Sequence, residues 1–204
     1  MAFIGTIPLD QATGEVRAMY ERGQARFGYV PNHTKLFGHR PGVWAGWETL
    51  LRSIRDSMDA RRYELVTLAA ARSLRCSYCA LAHGTILRER FYSIEQMAAI
   101  ADDHTAAGLS PADAAIMSFA AKVAGDASSI TPADVEALRG HGLNDVEIFD
   151  VAAAAAARCF FSKVLDALGA EPDAAYAQVE DGLRRRLTVG RSISASATER
   201  LPGS

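Results

Sequence analysis

The run ELVTLAAARSLRCSYCALAHG, residues 64–84, decides how the rest of the chain is read. It is dominated by alanine, leucine and arginine, the strong helix formers, and shows no period-2 alternation. It also holds two of the three cysteines, Cys76 and Cys79, and places His83 four residues beyond the second. On a helix starting near Cys76, Cys79 lies about 60° to one side and His83 returns to within about 20° of Cys76. Three side chains capable of sulfur and proton chemistry therefore share one stripe, with Cys79 and His83 in the i,i+4 relation at which helix side chains meet. Glu64 stands apart. Along one straight helix it would lie about 18 Å from Cys76, so it reaches the stripe only if the chain turns near Arg72–Arg75, where no Pro or Gly compels a turn.

Outward from this run, helix starts recur. Ser93-Ile94-Glu95-Gln96 reads as a capping box, and Asn144 with Glu147 is another start. SPAD (110–113) and TPAD (131–134) each supply a hydroxyl cap, a proline at the first helical position and an acid in the first turn. The pattern predicts an all-α chain with helices at 13–26, 42–57, 60–73, 76–90, 94–103, 111–125, 132–140, 145–168 and 172–187. One helical domain is expected over 1–187, with a helical hairpin at 58–90 bearing the chemistry. Residues 188–204, small, polar and aperiodic, are expected to be a flexible tail. A shift of 83 residues lays Glu64 on Glu147, Arg75 on Arg158, Cys76 on Cys159, Cys79 on Ser162 and His83 on Asp166. If this internal echo is a duplication, 141–169 is a pseudo-repeat hairpin without the CxxC, and Cys159 is an inert thiol on an apolar helix.

Composition excludes several roles. With 49% hydrophobic and 23% charged residues the chain is ordinary for a globular protein, and its net charge of −2 offers no footprint for nucleic acid or an anionic membrane. The short run Arg184–Arg186 follows Glu180 and Asp181 and reads as a solvated helix end. No segment reaches the roughly 20 apolar residues of a membrane span, and MAFIGTIPLDQATGEV lacks the basic and apolar regions of an export signal. A cytoplasmic location is expected, where a close cysteine pair points to catalysis or metal binding rather than to a disulfide framework.

The CxxC admits several readings. Zinc needs four ligands, and the run supplies two cysteines and one histidine with no second CxxC. A c-type haem would need histidine where Ala80 stands. Two core cysteines on an alanine-rich helix remain a plain alternative. A thiol–disulfide redox pair fits best, since a helix start and a neighbouring histidine both lower a thiol pKa. The helix end favours Cys76 as the more acidic thiol and the His83 spacing favours Cys79; the weight is placed on Cys79. Phe27, Tyr29, Phe37, Trp44 and Trp47 are candidates for an apolar approach, or else ordinary core aromatics.

The pattern E-x11-C-x-Y-C-x-x-x-H, filled by Glu64, Cys76, Tyr78, Cys79 and His83, resembles the signature of the carboxymuconolactone decarboxylase superfamily, and within it the AhpD-like alkylhydroperoxidases and peroxidase-related proteins. FGYVPN (27–32) and the segment from GLSPAD to VLDALG resemble the same branch. The resemblance implies a bundle of paired helical hairpins that assembles as a trimer or trimer-based hexamer. It implies reduction of hydroperoxides without bound metal or cofactor, with Cys79 as peroxidatic thiol and Cys76 as resolving thiol. His83 and Glu64 would be the proton relay, and a dithiol reductant protein of lipoyl type would recycle the pair. Tyr78 stands where the best-studied members carry a second histidine, and is a candidate relay or pocket residue. The founding branch implies a different use of Glu64 and His83, as acid and base of a decarboxylase. A CxxC switch without turnover is a third reading.

Overall fold

The computed structural model describes residues 2–202. Met1, Gly203 and Ser204, which fall within the expected boundaries 1–187 and 188–204, lie outside the described residues. Ten α-helices and no strand occur among the described residues: α1 Gly14–Phe27, α2 Asn32–Phe37, α3 Pro41–Ser57, α4 Ala60–Ser73, α5 Ser77–Arg90, α6 Ile94–Asp103, α7 Pro111–Asp126, α8 Pro132–Gly140, α9 Asp145–Ala167 and α10 Asp181–Leu187.

The helix starts carry the caps that their sequences specify. Ser93 and Gln96 exchange side-chain and backbone bonds at α6, as do Asn144 and Glu147 at α9. Ser110 accepts from the Asp113 N–H at α7, and the buried Asp113 carboxylate also receives Arg61 (2.8 Å) and Arg62 (3.1 Å) from α4. This clamp fixes α7 against α4. Every residue of α4 from Tyr63 to Ala71 is buried, so α4 is the central helix, with α5, α7 and α9 packed around it. Leu65, Val66 and Leu68 are fully enclosed, each worth about 1.5–3 kcal/mol in removed apolar surface.

The turn between α4 and α5 is made without glycine. Arg75 takes a left-handed conformation (φ 56°), the Cys76 N–H reaches Ala71 O (2.9 Å), and the Arg75 N–H reaches Arg72 O (3.0 Å). These bonds close a Schellman motif, which ordinarily places glycine at the left-handed position. The turn folds the 58–90 region into a hairpin and brings Glu64 back toward the cysteines.

Three expectations meet a different outcome. Residues 141–169 form no hairpin: α9 runs unbroken for 23 residues, because alanines 152–157 favour continued helix and no residue within α9 adopts the left-handed conformation that Arg75 takes. The helix expected at 172–187 divides into a 3₁₀ turn, Ala174–Gln178, and α10, with Val179 and Glu180 extended between them. Asp173 holds the first part, since its carboxylate is engaged by Tyr78 and by the Asn32 N–H. The six-residue α2 was not anticipated, being too short for apolar periodicity to reveal.

Residues 188–202, expected as a flexible tail, carry no helix and run back across the body. The Gly190 N–H donates to Ser77 Oγ (2.7 Å), the Ser194 N–H to Pro172 O (2.9 Å) and the Val30 N–H to Glu199 O (2.9 Å). Gly190 lies so close to the turn that a Cβ there would sit 2.0 Å from Arg75 O. No described helix is long and apolar enough to cross a membrane.

Candidate active site

Cys76 is the N-cap residue of α5, so Cys79 falls in the first turn and His83 one turn later. All three are buried. Glu64, delivered by the turn at Arg75, places Oε2 2.6 Å from His83 Nδ1. Burial opposes its charge, but His83, then Arg55 and Arg158, hold the carboxyl below the ordinary glutamate range.

Two residues that sequence reasoning missed complete the surroundings of the thiol. Ser162 Oγ donates to Cys79 Sγ (3.3 Å) and Arg158 Nη1 lies 3.6 Å from the same sulfur. They are four residues apart on α9, hence on one face. The Arg158 guanidinium is buried, with Tyr63 Oη at 3.5 Å and the rings of Trp47 and Phe161 beneath it. An arginine buried in an alanine-rich helix, with serine one turn on, was the available signal. The second half of the chain therefore contributes directly to the CxxC.

Burial alone would raise the Cys79 pKa. Against it act a hydrogen bond from Cys76, the charge of Arg158, the imidazole of His83 and the Ser162 hydroxyl, and the result is lowered to about 5. Cys76 moves the other way, raised chiefly by its hydrogen bond to Cys79 and by burial. Cys76 is also hydrogen-bonded to Asp166, whose carboxyl burial keeps above the usual range. Cys159 is half-buried, bonds Ala155 O (3.3 Å) and has a raised pKa from burial. Glu147 caps α9 instead of joining a second site.

Tyr78 turns away from the relay. Its hydroxyl donates to Asp173 Oδ2 and lies 3.0 Å from His33 Nδ1. Both Cys79 and His83 line a cavity of about 470 Å³ walled by Phe27, Tyr29, Trp44, Trp47 and Phe161. Phe37, the fifth aromatic singled out from sequence, is core instead, stacked on Phe161. Among the described residues no three His, Cys, Asp or Glu side chains are grouped to hold a metal ion.

The model of the carboxymuconolactone decarboxylase family matches residues 41–122, a span that holds Glu64, Cys76, Cys79 and His83. Over that span the chain resembles this family. Its similarities lie on the AhpD-like side. An alkyl hydroperoxide reductase of Mycobacterium tuberculosis is 32% identical over 118 residues, 57% of this chain but 29% of that protein's length. A peroxidase-related protein of Ralstonia eutropha JMP134 with an alkylhydroperoxidase AhpD core superimposes with a TM-score of 0.76 at 25% identity, over 86% of this chain and 94% of that one. A peroxidase-related protein from Silicibacter sp. TM1040 shares the fold, with a TM-score of 0.75 at 24% identity over 84% of this chain and 92% of that one. In this chain the central pair of helices, α4 and α5, carries the Glu–Cys–Cys–His set, and α9 supplies the cation.

Proposed function

We propose that this protein is a thiol-dependent peroxidase that reduces alkyl hydroperoxides with Cys79 and Cys76. The observation that carries the reading is the environment of Cys79: a thiol held largely ionised by Arg158, His83 and Ser162, at a cavity that it shares with the Glu64–His83 pair. An acidic thiol next to a cation is the arrangement that makes a cysteine a nucleophile.

Glu64 orients His83, and His83 takes the Cys79 proton. The thiolate attacks the distal oxygen of ROOH; the O–O bond breaks, RO⁻ leaves, and Cys79 becomes a sulfenic acid. The proton held by His83 passes to RO⁻ and gives the alcohol. Cys76 then attacks the sulfenic sulfur, forming the Cys76–Cys79 disulfide. Asp166 accepts the Cys76 proton and returns it to the departing hydroxide as water. An external dithiol, of lipoyl type by family resemblance, restores both thiols by exchange. No bound cofactor or metal enters this cycle. The groove between α3 and α9 exposes Leu50, Phe149 and Phe160, which supports self-association, by resemblance as a trimer or a trimer-based hexamer.

The test is a thiol count. Reduced protein treated with tert-butyl hydroperoxide and then denatured should fall from three free thiols to one; mutation of Cys79 should abolish the loss, and mutation of Cys76 should abolish the disulfide while Cys79 is still oxidised to the sulfenic acid. Persistence of all three would overturn the proposal. The close Glu64–His83 pair supports a second reading, an acid–base decarboxylase. That activity would survive replacement of both cysteines by serine, whereas peroxidase activity would not. A disulfide that forms but is recycled by no dithiol would identify a switch.

A further inference from the structure

His33 takes no part in the cycle above, yet it lines the same cavity as Cys79. It stands in α2, just beyond the FGYVPN run, and its ring is fixed on several sides: Trp44 stacks at 5.3 Å, with Phe161 at 5.7 Å and Phe27 at 6.0 Å edge-on. The hydrogen bonds around Tyr78 determine which nitrogen carries its proton. A tyrosine hydroxyl has one hydrogen to give and two lone pairs with which to accept. The hydrogen goes to Asp173, whose carboxylate also receives the Asn32 N–H (2.7 Å) and the Tyr29 hydroxyl, so it acts as the acceptor. The Tyr78 oxygen then accepts from the His33 backbone N–H (3.3 Å) and from His33 Nδ1–H (3.0 Å). With Nδ1 protonated, Nε2 keeps a bare lone pair, and no described residue hydrogen-bonds it. Burial, with Arg26 and Arg158 close by, holds the imidazole neutral, its pKa lowered to about 3. His33 is therefore an acceptor throughout the working pH range and not an acid.

We propose that His33 Nε2 accepts a hydrogen bond from the terminal O–H of the substrate and so presents the distal oxygen of a bulky, apolar organic hydroperoxide to Cys79. The inference rests on the thiol-peroxidase reading. The hydrogen that His33 holds is never transferred: as Cys79–S⁻ attacks HO–OR, the S–O bond forms and the O–O bond breaks. The O–H ends in the sulfenic acid, and RO⁻ takes its proton from His83. The organic group R lies in the cavity of about 470 Å³ against Phe27, Trp44 and Trp47, a volume within the usual range for small-molecule sites and far larger than hydrogen peroxide needs.

The experiment compares cumene hydroperoxide, hydrogen peroxide and iodoacetamide as reagents for Cys79 in wild type, His33→Phe and His33→Gln. Iodoacetamide reads thiolate reactivity without a peroxide to position. His33→Phe should slow oxidation by cumene hydroperoxide about 10- to 100-fold and leave alkylation unchanged. His33→Gln, which keeps an oxygen acceptor near the Nε2 position, should recover part of the rate. Cumene hydroperoxide should react faster than hydrogen peroxide in wild type. Nitrogen-15 NMR should find Nδ1 protonated and Nε2 bare. An unchanged cumene hydroperoxide rate in His33→Phe, a parallel fall in alkylation, or a protonated Nε2 would overturn the role of His33. Equal rates with the two peroxides would overturn the substrate class. A wild-type protein that alkylates but reacts with no hydroperoxide would overturn the peroxidase reading, and this inference with it.

Discussion

Replacing Arg158 by methionine removes the only full positive charge that hydrogen-bonds the Cys79 sulfur among the described residues, while keeping most of the side-chain volume. Nη1 lies 3.6 Å from Sγ. A unit-charge pair near 4 Å is worth about 4 kcal/mol at an effective dielectric of about 20, or about 3 pKa units. The guanidinium spreads its charge over three nitrogens, so the expected rise is about 1–3 units. The Cys79 midpoint should therefore climb from about 5 to about 6–8. The assay is the rate of iodoacetamide alkylation against pH in a Cys76→Ser, Cys159→Ser background, with Arg158→Lys as the variant that keeps the charge. The fold should hold, because the buried guanidinium is matched by no carboxylate hydrogen bond among the described residues, and removing such a charge relieves a desolvation cost. The linkage has a definite sign. A thiol with a depressed folded pKa adds stability that is fully present above the unfolded value, about 8.5, and is lost as pH falls through about 5. Arg158→Met should flatten that slope. A midpoint unmoved in a folded Arg158→Met protein would refute the reasoning; equal shifts in the Lys and Met variants would assign the effect to hydrogen bonding rather than to charge.

Glu64→Gln breaks the charged partner 2.6 Å from His83 and should lower the rate of hydroperoxide reduction by about 10²-fold, measured by stopped-flow oxidation of Cys79. Arg75→Gly places glycine where φ is 56° and should raise stability by up to about 1 kcal/mol. Thermal unfolding reads this change, and Arg75→Ala isolates the lost Nε bond to Val189 O (3.3 Å). Gly190→Ala drives a Cβ to 2.0 Å from the backbone of Arg75; segment 188–202 should lift, costing about 1–3 kcal/mol and exposing it to limited proteolysis. Thiolate stabilisation also favours the reduced pair by about 30 mV per pKa unit below working pH. Arg158→Met should thus lower the reduction potential by about 30–60 mV against a glutathione buffer.

What was legible in the sequence was local. Caps at Ser93, Ser110, Thr131 and Asn144 and alanine-rich periodicity placed eight of the nine expected helices close to their observed bounds, because each signal lies within a turn of what it specifies. The α4–α5 turn was illegible for a physical reason: Arg75 bears a strained conformation that the sequence rules reserve for glycine, and only tertiary bonds, such as Arg75 Nε to Val189 O, show what holds it there. Cys76, Cys79 and His83 were visible through i,i+3 and i,i+4 spacing. Arg158 and Ser162 were not, since they meet Cys79 across 79 and 83 residues of chain, and the arginine–serine pair on an alanine-rich helix does not by itself say which site it joins. His33 was hidden in the same way, by its dependence on Tyr78 and, through Tyr78, on Asp173.

The same 83-residue shift that suggested a silent second copy lays Cys79 on Ser162 and His83 on Asp166. In the fold these positions meet across the site: Ser162 bonds the Cys79 sulfur and Asp166 bonds Cys76. Whatever its origin, the α9 half serves the thiols by supplying polar partners, not by repeating the CxxC. The charge balance explains the need. Glu64 and ionised Cys79 bring negative charge into a buried region, and the Arg158 guanidinium beside the Cys79 sulfur brings positive charge to meet it. In the proposed cycle, oxidation of Cys79 removes its anion and leaves Glu64 as the buried counter-charge for Arg158. The electrostatic cost of leaving that guanidinium farther from its anion would oppose the oxidised state and make the proposed disulfide easier to reduce. On the proposed cycle, reactivity toward peroxide and recycling by a dithiol would both depend on one residue, Arg158, which lies outside the motif that carries the cysteines.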